Sequence, residues 1–507
     1  MYSKVRSAAL RGIDAEEVFV ETDVAFGFPS FSIVGLPDAA IRESKERVRT
    51  AIVNSGFSFP DRRVTVNLSP AGVRKEGTHF DLPIALCILK SSGMAAADEM
   101  EKFAFLGELA LDGTINRING ALPLIAGLRS RGVRGFVIPE GNRAEASMVE
   151  DADIYCVGSL REAVSFAERR TRSGKVGFRK TDFSQTEGIP DFADVSGQVH
   201  AKRALQIAAS AMHNVLMTGS PGSGKSMLAK RLPGILPPLT YEESLEVTKI
   251  YSASGLLDEE KPMITERPFR SPDHTVTPAA LIGGGVRARA GEVSLAHTGV
   301  LFLDEIAEFS KQSREALRCP MEDEEITVSR VSGSITLPCS FLTVAAMNPC
   351  PCGYLGDPDH PCTCTEPEIR RYRRKLSGPF LDRIDICVTL TAPGYDEIRG
   401  HEKGISTAEM RGPVMTAREM QMKRFRNSSI KYNSQMNTEQ IKEYCRLDEE
   451  SESLLKRAYK ELKLSARSYD RILKVSRTIA DMDGRSEIRV PDVAEAVQYR
   501  CGREIFG

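Results

Sequence analysis

Eight residues, Gly219-Ser220-Pro221-Gly222-Ser223-Gly224-Lys225-Ser226, fit the pattern G-x-x-x-x-G-K-[ST], with the apolar run NVLMT before them and the helical run MLAKRL after. Glycines let consecutive backbone N–H groups curl around phosphates, and the start of the following helix favours negative charge. Lys225 is placed to reach the β- and γ-phosphates of ATP, and the Ser226 hydroxyl to ligate Mg²⁺. Further along, Leu301-Phe302-Leu303-Asp304-Glu305 ends an apolar run in two carboxylates. Asp304 suits the Mg²⁺ shell, and Glu305 suits positioning or deprotonating the attacking water. Such an ending is weak alone and becomes specific beside the phosphate loop.

A second constellation is MNPCPCGYLGDPDHPCTCT, where Cys350, Cys352, Cys362 and Cys364 stand within a short loop of a chain with 11 cysteines. Four thiolates complete a tetrahedral Zn²⁺ shell, and a closed shell is structural because it leaves no position for a catalytic water. Gly353, Gly356 and Pro358 permit the sharp turns, and His360 is a substitute ligand. A redox pair and unligated thiols remain the other readings.

These residues need a scaffold, and 507 residues exceed one hydrophobic core. The composition, 41% apolar and 27% charged, is that of an ordinary globular chain. No apolar run is long enough for a transmembrane helix, and the N-terminus has no signal-peptide centre, so a cytoplasmic location with reduced thiols is expected. A net charge of −1 provides no global attraction to nucleic acid. Any such contact must come from local stretches, of which IRRYRRKL and the basic segment from Arg411 to Lys431 are candidates; a solvated helix face is the plainer reading of either.

Three blocks follow from the patterning. Residues 1–170 alternate short apolar runs with helical stretches, an α/β pattern. Residues 171–190 are polar and read as a linker. Residues 191–393 carry near-continuous apolar runs, as parallel strands covered on both faces require. Residues 394–507 show helical periodicity in ESESLLKRAYKEL, SYDRILKVSRTIADM and PDVAEAVQYR.

The phosphate loop, the Asp304-Glu305 ending, the run ending in Asn348 and Leu381-Asp382-Arg383 together resemble an AAA+ ATPase. FADVSGQVHAKRALQIAASAMHN, RPFRSPDHTVTPAALIGGG, GVLFLDEIAEF, MNPCPCGY and LSGPFLDRIDICVTL narrow this to the bacterial YifB/ComM group of magnesium-chelatase-like AAA+ proteins. The resemblance spans nearly the whole chain. It implies an α/β P-loop NTPase core with a C-terminal helical lid domain. It makes Asn348 the γ-phosphate sensor, Arg383 the arginine finger acting on a neighbour's nucleotide, and Arg467 the second sensor arginine, and it packs the adenine near Val195, Gly197 and Gln198. A finger supplied in trans implies a ring, a homo-hexamer. Two departures stand out: the loop ends in Ser226 where Thr is usual, and Asp273 stands where the group commonly has His.

The same resemblance implies two insertions, one over Arg270 to Gly285 and one hairpin, ITVSRVSGSITLP, with Ser332-Gly333 at its turn. Arg330 beside that turn would line a pore and contact DNA phosphates. The implied activity is ATP-driven helicase and branch migration on DNA during recombination and natural transformation. A chelatase-type ring remodelling a protein partner is the alternative. The first block separately resembles the proteolytic domain of Lon, but Pro123 occupies the catalytic lysine position and Thr78 or His79 stands where the serine motif would be, so peptidase chemistry is not expected.

Overall fold

The computed structural model describes residues 1–95, 100–171, 174–180, 183, 188–284, 289–330, 333–357, 359–392 and 404–500. Gly285, Ser332, Pro358, the junction at 393–394 and parts of the 171–190 linker fall outside these. The chain forms two compact units, one of residues 1–182, 241–265 and 327–337, the other of 183–240, 266–326 and 338–507.

The first unit holds a seven-stranded mixed sheet in the order Ser30–Val34, Arg63–Ser69, Asp14–Ala25, Tyr2–Arg11, Phe103–Phe105, Gly135–Pro139 and Asp153–Val157. Tyr2–Arg11 and Asp14–Ala25 pair antiparallel across a tight turn, with Arg11 opposite Asp14. Their alternating burial is what a sheet with one covered face requires. The helices Ala39–Asn54 and Asp81–Ser91 join its core, the latter with nearly every residue buried.

Two segments from the middle of the sequence also belong to this unit, which the three-block reading did not anticipate. In the helix Tyr241–Ser254, Tyr241 donates its hydroxyl to Met148 O at 2.7 Å, and Ser252 O accepts the Gly120 N–H at 3.0 Å. The hairpin of Glu325–Arg330 and Gly333–Pro338 reaches the first unit through Ser334, whose carbonyl accepts from Arg11 at 3.3 Å.

The second unit is built on a five-stranded, all-parallel sheet ordered Phe269–Arg270, Val300–Leu303, Leu342–Met347, Val215–Gly219 and Ile386–Leu390. The three central strands are buried along their whole length, as their continuous apolar runs require. The C-terminal helices Thr407–Arg424, Thr438–Tyr444, Glu449–Glu461, Ala466–Met482 and Val490–Gln498 contribute to the same hydrophobic cluster as the sheet, from Phe192 to Tyr499. Pro491 lies in the first turn of the last of these, where its missing N–H costs nothing. Among the described residues, no helix is long and apolar enough to cross a membrane.

Candidate functional site: a nucleotide cradle and a thiol cluster

The phosphate loop connects the strand Val215–Gly219 to the helix Lys225–Ile235. Gly222 and Gly224 have φ of +78° and +91°, the left-handed region glycine tolerates without strain. Gly219 is fixed by space: a Cβ there would stand 2.7 Å from both Leu390 O and Ser223 Oγ. Lys225 Nζ donates to Gly219 O at 2.7 Å, to Ser220 O at 3.0 Å and to Asn348 Oδ1 at 3.3 Å. Burial lowers the Lys225 pKa, and the nearby Asp304 and Glu305 carboxylates oppose that shift. The ammonium thus sits at the centre of the loop, held by groups that a phosphate can replace.

Ser226 Oγ donates to Asp304 Oδ2 at 2.8 Å, and Asp304 Oδ1 accepts the Glu305 N–H at 3.0 Å. A hydroxyl in the first turn of a helix and a carboxylate just beyond a strand therefore meet at one point, an arrangement suited to a hard divalent cation. Glu305 has φ of +50°, a conformation non-glycine residues adopt at a cost and that clusters at functional sites. Lys225, Ser226, Asp304, Glu305 and Asn348 all stand at or just beyond the carboxyl ends of parallel strands, where ligands bind in open α/β sheets.

At the other end of the cradle, Val195 is buried and Gln198 donates to Thr391 O at 2.6 Å and Ser223 O at 3.3 Å. Lys202 Nζ donates to Val195 O at 2.5 Å and lies beside Gly404, where a Cβ would be 2.7 Å from that ammonium. Lys202 and Gly404 were not legible as site neighbours, because neither belongs to a recognisable motif.

Arg383 and Arg467 are placed elsewhere. Asn214, immediately before the phosphate-loop strand, donates through Nδ2 to Arg383 O at 3.0 Å, and its N–H bonds Asp385 Oδ2 at 3.1 Å. Both arginines line a cavity of about 480 Å³ together with Asn214, Glu322, Arg471 and Lys474. Arg383 bonds Arg318 O at 3.0 Å and Pro379 O at 2.8 Å and pairs with Glu322, while Arg467 reaches Asp382 at 3.2 Å. This cavity is at the amino edge of the sheet, and the phosphate loop is at the carboxyl edge. A five-residue strand spans about 16 Å, more than an arginine side chain bridges. Beneath the cavity Asp385 is buried; burial pushes its carboxyl up, but His213 and Arg471 outweigh this and hold it below the usual range.

Arg330 ends the first strand of the hairpin, and its side chain lies outside the described set. In the other insertion, Arg270 forms a two-point ion pair with Glu292 at 2.7 and 2.8 Å, and Gly283–Gly284 pairs antiparallel with Arg289–Ala290. Asp273 turns inward on its own loop, accepting the Thr275 N–H at 2.9 Å. Several cations of the two basic stretches have structural partners: Arg373 donates to Pro349 O, Lys375 pairs with Glu308 at 2.9 Å, and Arg424 pairs with the buried Asp481 at 2.6 Å. In the first unit, Thr78 donates to Glu108, His79 bonds Ala8 O at 2.8 Å, and Pro123 lies inside the helix Ala121–Ser130.

The four loop cysteines converge, their sulfurs all within 4.8 Å of one another. Cys350 Sγ lies 3.3 Å from Cys352 Sγ and 3.6 Å from Cys362 Sγ, and Cys352 and Cys362 are 3.6 Å apart. Sulfurs on a tetrahedral zinc at about 2.3 Å stand about 3.8 Å from each other, so the donor set fits. Backbone N–H groups of Tyr354 and Thr363 lower the Cys352 thiol, while Cys362 and Cys364 are raised, a backbone N–H at each being outweighed by burial and the neighbouring sulfurs; a cation among them would favour all four thiolates. The loop packs on its own chain's phosphate loop: Gly353 abuts Pro221, and Ser220 is near enough to Asp357 to help hold its carboxyl low against burial. Asp357 was missed in the sequence because its partner is distant along the chain.

The parallel sheet with a glycine-rich loop, a hydroxyl–carboxylate pair and a polar sensor position defines a magnesium-chelatase-like AAA+ protein. Family comparison agrees: residues 191–398 match "Magnesium chelatase, subunit ChlI", residues 20–142 "Subunit ChlI of Mg-chelatase" and residues 404–500 "Magnesium chelatase, subunit ChlI C-terminal". The chain is 41% identical to Competence protein ComM of Haemophilus influenzae, over 98% of this chain and 97% of that protein. It is 38% identical to the uncharacterized protein YifB of Escherichia coli K12, over 98% of this chain and 97% of that one. The chain belongs to the YifB/ComM family.

Proposed function

We propose that the chain is an ATP-hydrolysing ring motor, a homo-hexamer that works on single-stranded or branched DNA as a helicase and branch-migration factor. The observation that carries the motor reading is the division of the site between two edges of one sheet. Lys225, Ser226, Asp304, Glu305 and Asn348 gather at the carboxyl edge, while Arg383 and Arg467 line a cavity at the amino edge. A nucleotide at the first edge lacks an arginine that only another copy can bring, which is the logic of a closed ring.

ATP bound here supplies the phosphoanhydride and Mg²⁺ supplies charge neutralisation. The loop N–H groups from Gly219 to Gly224 cradle the phosphates. Lys225 exchanges its carbonyl partners for phosphate oxygens, Ser226 and Asp304 hold the cation, Glu305 orients water, and Asn348 reports on the terminal phosphate. Val195 and Gln198 border the base. Cys350, Cys352, Cys362 and Cys364 hold a structural Zn²⁺.

Support for DNA as the track is the near full-length similarity to a protein named for competence, with Arg330 on the hairpin as the expected phosphate contact. Forked and unbranched DNA should raise the ATPase rate of the wild type, and forked DNA should be unwound; Lys225→Ala should do neither. No response of ATPase or unwinding to any DNA would discard this reading in favour of a ring that remodels a protein.

A further inference from the structure

The cysteine cluster is bound up with the nucleotide site in a way that its sequence position did not suggest. Among its described residues, the segment from Cys350 to Cys364 contains no helix or strand; the thiol cluster, the Asp357 side chain and turn hydrogen bonds order it. Yet its backbone presses on the phosphate loop. Gly353 has φ of +90°, and a Cβ there would lie 2.8 and 2.9 Å from Pro221 Cδ and Cγ. The Asp357 side chain is only 4% exposed and accepts the N–H groups of Asp359 and His360 at 3.0 Å. Burial pushes its carboxyl up, and the nearby Ser220 hydroxyl is among the groups that outweigh this and hold it low. Ser220 and Pro221 are the second and third residues of the phosphate loop.

The segment is also anchored at both ends close to the nucleotide. Asn348, two residues before the first cysteine, accepts from Lys225 at 3.3 Å. Beyond the last cysteine the helix Glu366–Arg373 starts with a capping box at Thr365 and Glu368. Its Tyr372 is buried, and its Arg373 donates to Pro349 O at 3.4 Å. A cross-link among the four sulfurs therefore fixes the one span that lies on Ser220 and Pro221 between two points already fixed.

We infer that the cysteine loop is a metal-set brace for its own chain's phosphate loop, so that zinc binding and nucleotide binding are thermodynamically coupled within one chain. The inference rests on the zinc reading proposed above. With the metal in place, Gly353 and Asp357 hold Pro221 and Ser220 in the curled geometry that phosphates require, and part of the ordering is complete before nucleotide arrives. Without it, nucleotide must order both loops. Coupling of this kind is reciprocal: whatever factor zinc adds to nucleotide affinity, nucleotide adds to zinc affinity.

The test uses the full chain, freed of unbound zinc and kept in excess Mg²⁺, with a fluorescent ADP analogue as probe and metal content measured on the same samples. Zinc should be found at one per chain in the wild type. Its removal by a chelator should weaken binding of the analogue about fivefold or more, and saturating ADP should raise zinc affinity by the same factor, read by competition with a chromophoric chelator. Asp357→Ala keeps all four thiols, so it should retain zinc while the factor falls towards one. Equal analogue affinity in zinc-loaded and zinc-free wild type overturns the coupling and leaves the zinc site standing. Absence of stoichiometric zinc from the wild type overturns the zinc reading and the coupling with it.

Discussion

At the scale of single residues, chemistry was legible where the participants are neighbours in sequence and illegible where they are not. The loop from Gly219 to Ser226 carries its glycines, cation and hydroxyl in one word, and folding adds only the meeting with Asp304. Asp357 has no such context, since its role exists only because the chain returns to Ser220. His79 stands where the resemblance to Lon would put a serine motif, and its structural setting is a buried ring. Burial lowers its pKa from 6.5 to about 4, against the Ala8 carbonyl and Asp38, which raise it. The unfolded chain therefore binds an extra proton between those two values. The stability contributed by keeping the ring neutral is whole above the ordinary value and is lost as pH falls towards the depressed one, by up to about 3 kcal/mol. Urea unfolding of wild type and His79→Gln, compared from about pH 7.5 to about pH 4.5, should show the wild type losing ground to the variant as pH falls. A constant difference would show that the ring titrates alike in the folded and unfolded chain, with no depressed pKa.

At the scale of elements, periodicity disclosed which faces are buried and not what buries them. The strands Val215–Gly219, Val300–Leu303 and Leu342–Met347 were readable because burial on both faces leaves a continuous apolar run. No sequence motif singles out the helix Tyr241–Ser254, and its membership in the first unit was not legible either, since an amphipathic stripe does not name its partner. The same limit hid the polar contact between two C-terminal helices. Asp481, fully buried on Ala466–Met482, accepts from Arg424 of Thr407–Arg424 at 2.6 Å through both oxygens, from Arg477 at 3.0 Å and from Asn433 at 2.8 Å. Sequence alone made Arg424 part of a basic stretch, a candidate for nucleic-acid contact or, more plainly, a solvated helix face. Asp481→Ala would leave two guanidinium groups buried with no counter-charge, so it should destabilise the second unit by about 3 to 5 kcal/mol. A melting temperature within a degree or so of wild type would mean that the pair is dispensable.

At the scale of the whole molecule, the cradle of Lys225 and the pair Arg383 and Arg467 lie at opposite edges of one sheet. Arg383 is held by Glu322 and Arg318 O, and Arg467 by Asp382, around a cavity at the amino edge of the sheet. Lys225 waits at the carboxyl edge on Gly219 O, Ser220 O and Asn348. If Arg383 serves a neighbour's nucleotide, Arg383→Ala and Lys225→Ala rings should each be inactive for different reasons, the first lacking fingers and the second lacking competent cradles. Mixing the two proteins in equal amounts under conditions of subunit exchange creates interfaces where an intact cradle from one variant faces an intact finger from the other. Random assembly makes such interfaces about a quarter of the total, so ATPase activity should recover towards about a quarter of the wild-type rate. Were Arg383 to act within its own chain, no mixture would contain an intact site and the activity would stay at the level of the separate variants. Arg467→Ala in place of Arg383→Ala extends the comparison, and the cavity the two arginines share leads us to expect the same recovery.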